Sequence, residues 1–118
     1  METVGDLSPN FSRREFACKD RCGRDYPTPA LVAMLQLARS RVGSPLRIVS
    51  GVRCADHNAD VGGSPRSQHI TGHAADVPGF YASVGLWKAC GAIGIGCRGG
   101  LVVHVDVRHG RQPFTFED

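Results

Sequence analysis

Two apolar rhythms organise this chain. Across Ala30-Leu31-Val32-Ala33-Met34-Leu35-Gln36-Leu37-Ala38-Arg39-Ser40-Arg41 the apolar residues recur at helical spacing, Thr28-Pro29 supplies a cap and an N1 proline, and Gly43 supplies a stop. That predicts a helix with one core face. Across residues 101–108 the rhythm shortens to alternation, placing His104, Asp106 and Arg108 on one strand face and valines on the other.

Weaker patterns fill the space between. Ser12 followed by Glu15 is a capping box and predicts a short helix over residues 12–17. Residues 46–50 read as a strand that delivers Arg53 into a loop, residues 56–59 as a helical turn broken at Gly62-Gly63, and residues 65–72 as a loop before a strand containing Asp76. Residues 81–90 form the next helix, and residues 93–97 a strand that turns through Arg98-Gly99-Gly100 into the His104 strand. Antiparallel strands with helices packed on one side predict an α+β domain built on a small antiparallel sheet. At 118 residues a single domain over 1–118 is expected.

Composition narrows the function classes without choosing one. Twelve arginines and two lysines against eleven acids give a net charge of +3, but the basic residues are scattered and no aromatic-studded basic run accompanies them, so nucleic acid is not an expected partner. Residues 1–6 lack the basic and apolar regions of a secretory signal, and no apolar run approaches the roughly 20 residues of a membrane span. The expectation is a product made in the cytoplasm, without a membrane span, and monomeric. Cys18, Cys22, Cys54, Cys90 and Cys97 are read as reduced thiols, with a disulfide or a small second metal site as the alternative for Cys18, Cys22 and Cys54.

The chemistry concentrates in Ser67-Gln68-His69-Ile70-Thr71-Gly72-His73-Ala74-Ala75-Asp76 and in His104-Val105-Asp106. Two imidazoles and a carboxylate are donors that Zn²⁺ prefers, and three protein ligands leave a fourth tetrahedral position open, the stoichiometry of a catalytic site. Gly72 permits the sharp turn after His69, and Ala74-Ala75 suit a tightly packed strand that returns Asp76 towards it. Gly94-Ile95-Gly96-Cys97-Arg98-Gly99 matches a dinucleotide fingerprint by letter, yet a β-rich segment follows where that motif requires a helix; its glycines are read as a turn and close-packing device.

These residues also carry a resemblance. Ser50-Gly51-Val52-Arg53-Cys54, His57-Asn58, Val61-Gly62-Gly63, Ser67-Gln68-His69, Gly72, Ala74-Ala75-Asp76 and Val103-His104-Val105-Asp106-Val107-Arg108, after the opening Asn10-Phe11-Ser12-Arg13-Arg14-Glu15-Phe16-Ala17-Cys18, resemble the zinc D-Ala-D-Ala carboxypeptidase superfamily. That group includes phage and bacterial peptidoglycan peptidases and shares its metal-binding fold with the hedgehog signalling domain. The resemblance implies His69, Asp76 and His104 as zinc ligands and Arg53 as the guanidinium that holds a substrate carboxylate or carbonyl. The neighbours Ser67, Gln68 and His73 are read as pocket residues, with holding the loop shape as the alternative for Gln68 and His73. The resemblance implies a peptidoglycan stem peptide as substrate, D-Ala-D-Ala type bonds before L-Ala-D-Glu bonds, reached after release from the cell or as part of a virion.

One position departs from the family. Several members carry an acid three residues before the last histidine ligand, where this chain has Leu101. Asp106 is the nearest carboxylate for the role of general base, and equally suits the role of orienting an imidazole; His109 or an acid from another segment are further options. The departure also leaves room for a catalytically weak zinc domain that recognises cell wall or serves a phage particle.

Overall fold

The computed structural model describes residues 5–19, 22–79, 82–110 and 112–118. Its centre is a four-stranded sheet of β1 (Ala74–Asp76), β2 (Gly94–Arg98), β3 (Leu101–Asp106) and β4 (Phe114–Glu117), in the spatial order β1-β3-β2-β4. β3 lies between β1 and β2 and runs antiparallel to both, whereas β4 runs parallel to β2. The architecture is α+β as expected, but the sheet is mixed rather than antiparallel. β4 starts at the end of the sheet where β3 stops, so Phe114 lies beside Gly94 and donates its N–H to the Ile93 carbonyl at 2.8 Å.

Helix α1 (Pro29–Val42) starts where Thr28 accepts the Leu31 N–H and ends at Gly43, whose φ of 77° lies in the left-handed region. It buries Leu31, Val32, Met34, Leu35 and Ala38. Helix α2 (Ala55–Asp60) is capped by Cys54, and α3 (Val84–Cys90) by Ser83. The residue expected to begin that last helix, Tyr81, lies outside the described residues. Trp87 of α3 joins Leu31, Leu35, Ala75, Ile95 and Val105 in one core, so the sheet presents its valine face to the helices and its histidine face elsewhere. Burying side chains of this size stabilises the fold by about 1.5–3 kcal/mol each before entropy is counted.

Two expected elements change on contact with the fold. The capping box of Ser12 and Glu15 is present, but the turn it opens is a 3-10 helix over Arg13–Phe16. Residues 46–50 form no strand; they meet β1 through a single antiparallel bridge, in which Val49 N–H reaches the Asp76 carbonyl and Asp76 N–H the Ser50 carbonyl, each at 2.8 Å. A three-residue β1 offers too short an edge for more.

The alternation of β3 is also interrupted. Gly96 pairs with His104 and Cys97 with Val102, which leaves Val103 as an extra residue opposite β2. Such a bulge reverses the facing of everything beyond it. Val102 and Val105 therefore both reach the core, while Leu101 is 53% exposed.

Candidate metal centre

His69, Asp76 and His104 come from a loop, the end of β1 and the middle of β3. Asp76 sits directly across from His104 in the β1–β3 register, so those two side chains meet because of strand pairing. His69 arrives through the turn at Gly72, whose φ is 77° and where a Cβ would stand 2.8 Å from the Tyr26 carbonyl oxygen. Gly72 also accepts the Thr28 N–H at 2.8 Å, tying this turn to the start of α1. Only glycine fits that position without strain.

Hydrogen bonds assign a tautomer to each imidazole. His69 Nδ1 lies 2.7 Å from the Gly51 carbonyl, an acceptor, so Nδ1 carries the proton and Nε2 is left as the donor atom, 3.1 Å from Asp76 Oδ1. His104 is arranged the other way round. Its Nε2 lies 2.8 Å from Asp106 Oδ2, which leaves Nδ1 facing Asp76 Oδ1 at 3.2 Å. The two rings meet edge to face with centroids 5.2 Å apart, and both are buried.

Three electron-pair donors converge here, two buried and one half-buried, and suit a cation between them. Two donors held by one tetrahedral ion at about 2.0–2.1 Å stand about 3.3 Å apart, close to the spacings here, so the residues fit a metal ion of borderline softness. Burial disfavours charged His104, but hydrogen bonds to Asp106 and Asp76 outweigh it and push the pKa up to about 9. Burial likewise opposes the Asp76 carboxylate, and the two histidines hold it well below the usual carboxylate range.

A second layer holds the ligands. Arg53 donates to Asp76 Oδ2 at 3.1 Å, to Ser50 Oγ at 3.3 Å and to Asn58 Oδ1 at 3.2 Å, so it lines the cleft while holding the Asp76 carboxylate, a contact that was not foreseen. Asp106 is fully buried and its oxygens accept from His104, from the Gly94 N–H, and from the backbone and guanidinium of Arg108. A Cβ on Gly94 would stand 2.3 Å from Asp106 Oδ2, which accounts for the first glycine of the supposed dinucleotide motif. Asp106 lies behind His104 and does not line the cleft; of its two expected roles, this is the geometry of orienting the imidazole.

The donors open into a cleft of about 520 Å³. Ser67 and Gln68 line it as expected, with Ser67 Oγ accepting the His69 N–H at 3.2 Å. His73 is not part of the lining; its Nδ1 meets Thr71 Oγ1. Arg53, Arg66, Arg98 and Arg108 line it together with Asp76 and Asp118, the Arg108 guanidinium being held by Asp106. Arg98, Phe116 and Asp118 escaped the sequence reading. Phe116 packs its ring on His104 at 5.4 Å, and Asp118, two residues further along, reaches Arg98 at 3.3 Å. The apolar-polar alternation of Phe114-Thr115-Phe116-Glu117 was the available signal.

Among the described residues no helix is long and apolar enough to cross a membrane. A family model described as Peptidase M15 matches residues 9–106, a span that includes His69, Asp76 and His104. No curated protein matches the chain.

Proposed function

Since the chain belongs to the Peptidase M15 family, a family of metal-dependent peptidases, we propose that it is a zinc peptidase that cleaves amide bonds in peptidoglycan stem peptides. The observation that carries this reading is the convergence of His69 Nε2, His104 Nδ1 and Asp76 Oδ1 at the floor of a cleft rimmed by guanidinium groups. Nitrogen, nitrogen and oxygen from three side chains suit zinc with one position left open. Lewis-acid polarisation of the scissile carbonyl and activation of water are the chemistry that bound zinc supplies.

The chain's own residues then divide the work. Arg53 keeps Asp76 Oδ2 engaged and leaves Oδ1 to the imidazoles, where it would help hold a metal, and as a lining residue of the cleft it can hold a substrate carboxylate or carbonyl. Asp106, itself clamped by Arg108, keeps the His104 proton on Nε2. Arg66, Arg98 and Arg108 raise the local concentration of anionic peptides, and stem peptides carry free carboxylates. Asp118 is the proton acceptor we assign, because it is the carboxylate of the cleft lining that stands outside the ligand group. The family resemblance ranks D-Ala-D-Ala type bonds first and L-Ala-D-Glu bonds second. Ser67 shapes the cleft by fixing the backbone of His69.

The test is hydrolysis of synthetic stem peptides by zinc-loaded and metal-stripped protein. Release of a new amine by the loaded form alone is the expected result. Binding of cell-wall fragments by zinc-loaded protein without any cleavage would instead identify a recognition domain, the reading favoured by Leu101 at the position where relatives carry an acid.

A further inference from the structure

A second cluster of donors lies apart from the His69 group. The sulfurs of Cys18, Cys22 and Cys54 all stand within 4.8 Å of one another, with Cys18 buried, Cys54 half-buried and Cys22 exposed. Cys18 Sγ and Cys54 Sγ are 3.9 Å apart. A disulfide needs about 2.05 Å. Two thiolates at about 2.3 Å from a shared tetrahedral zinc stand about 3.8 Å apart. The Cys18–Cys54 spacing fits two sulfurs that share an ion.

The backbone is arranged for charged sulfur as well. Cys54 N–H points at Cys18 Sγ, and His57 N–H points at Cys54 Sγ, each at 3.4 Å, and such donors favour a thiolate over a thiol. After Cys22 comes Gly23 with φ of 90°, and Cys18 N–H closes on the Arg24 carbonyl at 2.7 Å. This tight return brings Cys22 back beside Cys18. Val52 N–H meanwhile bonds the Phe16 carbonyl, which sets Cys54 against the same turn.

We propose that Cys18, Cys22 and Cys54 form a second zinc site of three thiolates, joining the N-terminal turn to the segment that carries Arg53. Soft thiolates select zinc over the hard divalent cations, and the exposed Cys22 gives the ion a path from solvent. With three protein ligands the fourth position stays open to solvent, and the role we assign is that of joining the two segments. The site lies outside the cleft lining and supplies no group to the peptidase reading.

Metal content of the full chain, purified with a thiol reductant, reads the proposal independently of any hydrolysis. Wild-type protein should hold about two zinc ions, and His69→Ala about one, the thiolate site being intact. Adding cobalt to metal-stripped His69→Ala should produce the near-ultraviolet sulfur-to-cobalt charge-transfer absorption, and Cys22→Ser in that background, a change at an exposed residue, should weaken it. A single zinc in the wild type that vanishes with His69→Ala would overturn the proposal. So would a cobalt spectrum without thiolate character, or a Cys18–Cys54 disulfide that survives the reductant. Failure of stem-peptide hydrolysis with both zinc ions present would count against the peptidase reading alone.

Discussion

Asp106 shows how a residue's neighbours decide its chemistry. A carboxylate that accepts from an imidazole, two backbone amides and a guanidinium while fully buried has no oxygen to offer a water molecule in the cleft. Asp106→Asn should therefore weaken zinc affinity by about 10-fold to 100-fold, because the amide no longer fixes the His104 tautomer, while kcat at saturating zinc stays within a few-fold. Zinc titration and turnover on the same variant check this. For Asp118→Asn the pattern should invert: unchanged zinc content, with kcat lower by about 10²-fold to 10⁴-fold. Equal turnover in that variant would remove Asp118 from the chemistry. His69, Asp76 and His104 were legible from donor type and order along the chain. Asp118 was not, because its place in the cleft depends on β4 lying parallel to β2, and pairing of that kind leaves no mark on a four-residue strand.

The elements most faithfully written in the sequence are those bounded by their own local chemistry. Thr28-Pro29 and Gly43 delimit α1 to within a residue because a cap, a proline and a left-handed glycine act on their immediate neighbours. Strands are different, since their limits depend on partners. Residues 46–50 have strand-like composition yet find only one bridge, and the alternation of β3 breaks where Val103 has no opposite number on β2. Gly94 joins the two kinds of information: β2 can lie against the Asp106 carboxylate only where no Cβ intervenes. Gly94→Ala should cost about 1–3 kcal/mol, as overpacking in a closed interior does. A urea titration would measure it, and zinc affinity should fall alongside because Asp106 must move. Full stability with full affinity would show that the sheet adjusts freely at this point.

At the scale of the molecule, the three donors lie at positions 69, 76 and 104, and only the folded sheet brings them together. Zinc that binds the folded state alone stabilises it by about 2.7 kcal/mol at 100 times its dissociation constant. The thermal midpoint should therefore climb with added zinc and drop with a chelator, and His104→Ala should lose the share of that dependence that this site supplies, the thiolate site keeping its own. Calorimetry at several zinc concentrations reads the slope directly. One practical matter follows from the position of β4. Because Asp118 lines the cleft, chain joined after residue 118 starts from the cleft wall. A fusion partner placed there would crowd the arginine-lined cleft, and comparing turnover with and without it measures the effect.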